Sequence, residues 1–547
     1  MAGIDMLLKN ARIYSGLHDQ RPVEAMAVRD GKIVAMGSSE EASAALPEGF
    51  ETRDLQGATV FPGLVDVHNH HMLAGEADLF QLAFAPTASF DEVLEAVREY
   101  AALLPTDAWV LGEAWGSTLI EELSTADARQ RLDEVSGGRP VVLTDDSHHN
   151  KFVNSAVLAV AGIDASTPDP KDGEIVRDPQ TGEPTGLLKE SAALPAAHVV
   201  SEHTVHSPER YQQSSARGIE ILNGFGITAF QDAAATIEIM AALQSLDQRN
   251  ELNAWVVSSM LSSEFLIADT LYGKELVERG EEFRSEQHRP DFVKVALDGV
   301  PPTKTAAFLT PYVENDGHTH EHCGTTTMRP EELTGWLLWT AERGLSAKIH
   351  CTGDAAVRIA LDSIAAVREA GYTETKYHIA HGQFVHPDDL ARFAALDVAA
   401  DISPYLWFPG VIPESIAAVR PDDESGHMQP NRSLLDLGVT VAGGSDWPVS
   451  VSPNPWEGIQ GLVTRQDPLG RAEGTLWPEQ AITLEEAIEV FTIQGARAMG
   501  VDDVTGSLEV GKSADFVILT QDPFAVPVEE IVHTKAVETW FRGRRVH

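Results

Sequence analysis

Cysteine is almost missing from this chain: its 547 residues include only Cys323 and Cys351. Two thiols so far apart make neither a disulfide framework nor a zinc knuckle, and they suit a reducing compartment. Positive charge is scarce as well, since 40 Lys and Arg face 83 Asp and Glu, for a formal net charge of −43 at pH 7. That balance argues against nucleic acid as a partner and for solubility in water. No stretch reaches the roughly 18 uninterrupted apolar residues of a membrane span. Residues 1–16 also lack a basic start followed by an apolar run, so a cytoplasmic location without membrane contact is expected. Material for a core is not lacking. The chain is 43% apolar and 22% charged, ordinary values for a globular protein, so the acidity does not signal disorder.

The two ends read as β structure. Polar and apolar residues alternate over residues 6–14 and 24–36, with Asp30-Gly31 as a hairpin turn, and residues 514–520 and 537–544 read as strands around polar turns. One small β-sandwich domain assembled from residues 1–60 and 501–547 is expected. Between them, residues 61–500 show a rhythm of amphipathic helix, glycine, short β-branched run and polar residue. It passes through Gly226 to Asp232, Gly344 to His350, Gly371 to His381 and Gly438 to Asp446. Such alternation predicts an α/β protein with a parallel sheet closed as a (β/α)8 TIM barrel, whose functional side chains sit at the C-terminal ends of the strands.

The first barrel strand is expected at residues 64–67, followed by His68 and His70, two positions apart and therefore on one face. The next strand starts near residue 227, too far for one βαβ unit, so an inserted α/β segment of about residues 75–205 is expected. Within it, Ser89 and Glu92 form a capping-box signature. Val93, Leu94, Val97, Tyr100, Ala101 and Leu104 trace one helical face, read as core packing.

Chemistry gathers at five places: His68/His70, Lys294 in a Val-Lys-Val run, His350, His381 and Asp446. Neutral imidazoles and carboxylates are zinc ligands, and a shared bridging ligand lets two ions lie roughly 3.5–4 Å apart around one hydroxide. Lysine is rare here, with twelve in the chain, and one inside an apolar strand is pushed towards its neutral, nucleophilic amine. Each residue alone has a structural reading, such as a self-satisfied core histidine or a Lys294–Asp298 pair. Convergence of several polar interruptions at one end of parallel strands favours a metal centre.

These residues carry a resemblance to the amidohydrolase superfamily, and most to its amidohydrolase-3 branch, the YtcJ-like metal-dependent hydrolases that include the N-substituted formamide deformylases. The matching motifs run nearly end to end. They are Phe61-Pro-Gly-Leu-Val-Asp-Val-His-Asn-His70, Gly182-Glu-Pro-Thr-Gly186 with Glu190, Phe292-Val-Lys-Val-Ala-Leu-Asp-Gly299 with Thr305-Ala-Ala307, Ile349-His-Cys-Thr-Gly-Asp354, His381-Gly-Gln383, Gly444-Ser-Asp-Trp-Pro448 and Gly506-Ser-Leu-Glu-Val-Gly-Lys-Ser-Ala-Asp515.

The resemblance implies that His68 and His70 bind a buried metal, that His350 and His381 bind a second, and that Lys294, carboxylated by CO₂, bridges both. Asp446 would ligate the first metal, accept the proton of the metal-bound hydroxide and pass it to the leaving nitrogen of an amide. Two zinc ions per chain are the default, with a mononuclear site or another divalent metal as alternatives. The implied activity is hydrolysis of a C–N bond, of amide or formamide type, in a small molecule. An ester, lactone or cyclic-imide hydrolase using the same site is the alternative, and a ligand-binding regulator without turnover is a reading from another class. A homodimer is compatible with the chain.

Departures mark where substrate contacts have changed. The branch usually has Arg and Glu shortly before the strand-six histidine, where this chain has His378 and Ala380, and Ser403 replaces a Gln after strand seven. No glutamate follows His350 within residues 350–356, which argues against a purine or pyrimidine deaminase. His149, with His148 as the alternative, resembles a histidine brought over the active site. Trp115 and Tyr312 are candidates for substrate contact, with core packing as the other reading of Trp115. His318-Thr-His-Glu-His322 reads as a solvated loop rather than a catalytic metal cluster.

Overall fold

A computed structural model describes residues 5–18, 21–85, 87–171, 173–203, 207–264, 270–313 and 321–547. Among them, no helix is long and apolar enough to cross a membrane.

The two ends of the chain pair with each other. Asp30 and Gly31 both take positive φ, the geometry of a tight hairpin, and join Ala25–Arg29 to Lys32–Gly37. With Met6–Lys9 and Glu51–Asp54 these strands form a four-stranded sheet. A second sheet combines Arg12–Ile13 and Thr59–Pro62 with Phe516–Leu519, Ala536–Phe541 and Arg544–Arg545 from the C-terminus. Leu8, Met26 and Val28 of the first sheet share one buried cluster with Val60, Phe516 and Trp540 of the second, so the sheets form a sandwich.

Between the ends, eight parallel strands follow one another in sheet order: Leu64–Asn69, Ile227–Ala235, Trp255–Leu261, His288–Ala296, Ser346–Cys351, Tyr377–His381, Val398–Ile402 and Val441–Gly443. The last meets the first just beyond its end, where the Asp446 N–H donates to the His68 carbonyl at 2.7 Å and the His70 N–H to the Trp447 carbonyl at 2.8 Å. Gly444 makes this seam possible, because a Cβ there would lie 2.5 Å from the His68 Cβ. The predicted rhythm corresponds to helices Pro208–Gly224, Pro330–Ala341 and Asn431–Asp436. The helix before Gly371 is longer, Asp354–Glu369.

The chain leaves the barrel later than residue 75. Helix His71–Phe80 still packs on Pro208–Gly224, so closely that a Cβ on Gly75 would meet the Ser214 carbonyl oxygen at 2.0 Å. From Leu82–Ala83 to Pro184–Glu190 the chain then builds its own six-stranded sheet. Helix Phe90–Leu103 carries the Ser89–Glu92 capping box, and its Val93, Leu94, Val97 and Ala101 enter a core with Val110, Leu132 and Phe152.

Candidate metal centre

The first strand projects His68 and His70 into the barrel mouth, and the turn after the eighth strand brings Asp446 against them. Asp446 Oδ1 lies 3.5 Å from His68 Nε2 and 3.4 Å from His70 Nε2, while Oδ2 lies 3.5 Å from His381 Nε2. Burial alone would raise this carboxyl, but His381, His70 and Lys294 outweigh it and hold it well below the usual carboxylate range. Among the described residues, His68, His70 and Asp446 offer ligand atoms that all lie within 4.8 Å of one another.

The ring of His68 is oriented from behind. Its Nδ1 contacts Asp401 Oδ2 at 3.0 Å, a carboxylate on the seventh strand, so Nδ1 carries the proton and the Nε2 lone pair faces Asp446 and Lys294. Burial, then the charges of Lys294 and Lys348, keep this imidazole well below its ordinary pKa, hence neutral. His381 is oriented similarly, by Ser403 Oγ at 2.9 Å from its Nδ1, and burial pushes it down to about 4. The replacement at position 403 therefore serves a ligand candidate.

Lys294 Nζ lies 3.3 Å from His68 Nε2. Burial first, then the charge of Lys348, push its ammonium down to about 8. The Lys294–Asp298 pair is not formed: Asp298 instead accepts the N–H groups of Ala307, Thr352 and Gly353, each at 3.0 Å, and fixes the loops around the mouth. His350 stands apart from the cluster, with Nε2 3.3 Å from the Gly299 carbonyl and its ring centroid 5.2 Å from that of His381.

His149 lines a cavity together with His350, His381 and Asp446. Its Nδ1 contacts Glu190 at 2.8 Å; burial would lower its pKa, but Glu190 outweighs this and raises it. Trp115 lies elsewhere, 1% exposed in the core of the insertion, with its indole N–H donating to the Leu143 carbonyl at 3.0 Å. Tyr312 is also buried; its hydroxyl donates to the Ala306 carbonyl at 2.8 Å and its ring stacks on His322. His318 and His320 lie outside the described residues, and His322 Nε2 sits 2.8 Å from the Lys304 carbonyl. His378 faces away from the centre, with Nε2 2.9 Å from the Ala498 carbonyl.

Sequence reasoning missed Lys348 and Asp401. Lys348 is fully buried, donates to the Val67 carbonyl at 2.8 Å and is ion-paired with Asp401. A signal existed: Lys348 precedes His350 by two positions in an apolar strand, as His68 precedes His70, so the pair shares a face.

Comparison with known proteins points the same way. An N-substituted formamide deformylase of Arthrobacter pascens is 29% identical to this chain, with 98% of this chain and 97% of that protein aligned. The protein LONG AFTER FAR-RED 3 of Arabidopsis thaliana is 28% identical, with 100% of this chain and 92% of that protein aligned. The crystal structure of an uncharacterized metal-dependent hydrolase from Pyrococcus horikoshii OT3 shares the fold, with a TM-score of 0.74 at 23% identity over 96% of this chain and 99% of that one. The model of the amidohydrolase family matches residues 51–547, and the chain belongs to that family.

Proposed function

We propose that this protein is a metal-dependent hydrolase of a C–N bond, of amide or formamide type, in a small molecule. The observation that carries the reading is Asp446, whose two carboxylate oxygens face His68 and His70 on one side and His381 on the other. The formamide deformylase named above, aligned over nearly its whole length, favours the amide bond.

The donors fit a divalent ion. His68 and His381 are neutral and oriented from behind, and Asp446 is ionised. His68, His70 and Asp446 would hold one ion, and His381 and His350 a second, with His350 turning from the Gly299 carbonyl. Lys294 as a carbamate would bridge the two: its neutral amine forms an N–C bond to CO₂ and releases one proton. Lys348 is less suited to that step because its Nζ is already engaged by Asp401 and the Val67 carbonyl. Zinc is the default metal, and the setting is the cytoplasm.

When bound, the metal supplies Lewis acidity to a carbonyl oxygen and lowers the pKa of water. The chain moves the proton. Asp446 accepts it from the nucleophilic water and delivers it to the departing nitrogen, which an amide requires because its anion is a poor leaving group. His149, held by Glu190, would orient the substrate at the mouth.

The test is a substrate panel on zinc-reconstituted protein: N-substituted formamides and acetamides beside matched esters, lactones and cyclic imides. Turnover of the amides is expected. Turnover confined to the oxygen esters, lactones or imides would move the assignment to those bonds, and none at all would bring the ligand-binding regulator forward.

A further inference from the structure

A second cavity, of about 310 Å³, lies between the insertion and the barrel mouth. His149 lines both this cavity and the one above Asp446, whereas Glu190 lines only this one. Ala193, Leu194 and Ala197 give it an apolar wall.

Its acidic groups are already engaged. Glu190 contacts His149 at 2.8 Å and accepts from Thr303 at 3.1 Å and Thr305 at 2.7 Å. Asp298 takes its three backbone N–H groups, and Glu264 lies 3.6 Å from His198. One cation on the insertion is not matched in this way. Lys151, on strand Asn150–Val153, donates to Thr144 Oγ1 at 3.1 Å and forms no ion pair with any carboxylate among the described residues. Burial disfavours its charge, opposed only from a distance by Asp145 and Glu113. His148 lines the same cavity, with its Nδ1 3.9 Å from the Glu113 carboxylate.

A half-buried ammonium with no counter-ion can still gain from an arriving carboxylate, through charge-assisted hydrogen bonds. In a chain of net charge −43 this local cation offsets a long-range field that repels anions. We propose that this cavity is the subsite for a carboxylate carried by the substrate, with Lys151 as its counter-ion. The inference rests on the amide-hydrolase reading and names its substrate class: amides with a carboxylate on one side of the scissile bond and carbon enough to line the Ala193–Leu194 wall.

The test uses the N-formyl and N-acetyl derivatives of β-alanine and phenylalanine, each beside its neutral methylamide. With zinc-loaded wild type, kcat/KM is expected to favour the acid over the methylamide by about tenfold or more, the scale of one charge-assisted contact. Lys151→Met should bring that ratio close to one, mainly through KM, and Lys151→Arg should restore part of it, with metal content and circular dichroism as controls for folding. A ratio that Lys151→Met leaves unchanged, or a wild type that prefers the methylamides, would overturn the subsite. The same compounds are also titrated calorimetrically into metal-free protein. There the acids should bind and lose affinity about tenfold in Lys151→Met, whereas no binding, or binding indifferent to the substitution, would overturn the subsite. Absence of turnover with such binding present would count against the hydrolase reading alone.

Discussion

Lys294 and Lys348 are paired in register on neighbouring barrel strands, yet Lys348 is ion-paired with Asp401 whereas Lys294 has the ring of His68 as its neighbour. Two ammonium groups side by side inside a barrel repel each other. Asp401 counters the burial of Lys348 by direct contact, whereas burial, followed by the neighbouring Lys348, brings Lys294 down to about 8. The two lysines thus differ in surroundings because of a carboxylate two strands beyond Lys348.

Lys348→Met removes the cation and leaves Asp401 buried beside His68. Breaking a buried pair from one side costs about 3–5 kcal/mol, so the urea-unfolding midpoint should fall clearly. An unchanged midpoint would mean that the pair contributes nothing to the fold.

Asp401→Asn keeps the shape but removes the charge that holds the His68 Nδ1–H. Metal affinity, measured by competition with a chelator, should drop about 10–100-fold while the circular dichroism is retained. Equal affinity would show that His68 is oriented by other contacts.

His288 gives a pH dependence away from the centre. It is fully buried, with Nε2 2.8 Å from Ser258 Oγ and Nδ1 2.9 Å from the Phe283 carbonyl, and burial pushes its pKa down to about 4. In the unfolded chain it takes a proton near pH 6.5. Between these values the unfolded chain binds more protons, so the contribution of His288 is complete above pH 6.5 and is lost as pH falls towards 4. Relative to His288→Gln, the wild type should lose about 3 kcal/mol across that window, read from urea unfolding at several pH values. A difference independent of pH would contradict the buried neutral imidazole.

Trp115→Ala should destabilise the protein by about 3–5 kcal/mol, because it empties the core of the insertion. A stable variant with an altered KM would place Trp115 at the substrate instead.

Much of the barrel was legible because each unit repeats its own punctuation: Gly226, Gly344, Gly371 and Gly438 all adopt positive φ just before a strand. That His68, His70, His381 and Asp446 gather at one end of the barrel was legible because strand ends are where a barrel exposes polar side chains. The start of the insertion was not, since helix His71–Phe80 looks locally like any other helix and its docking on Pro208–Gly224 is a long-range contact. Lys348 and Asp401 were hidden for a related reason. Their meaning comes from each other, across 53 residues of chain. For Trp115 the sequence left pocket wall and packed core open; in the fold its N–H, like the Tyr312 O–H, is taken by a nearby carbonyl.

Metal content per chain decides whether Lys294 bridges a metal centre. It is measured by mass spectrometry on protein prepared without chelators, beside Lys294→Ala. About two equivalents are expected in the wild type and fewer in the variant. One equivalent indifferent to the substitution would contradict the bridge, and no metal even after reconstitution with zinc would contradict the metal-dependent hydrolase itself.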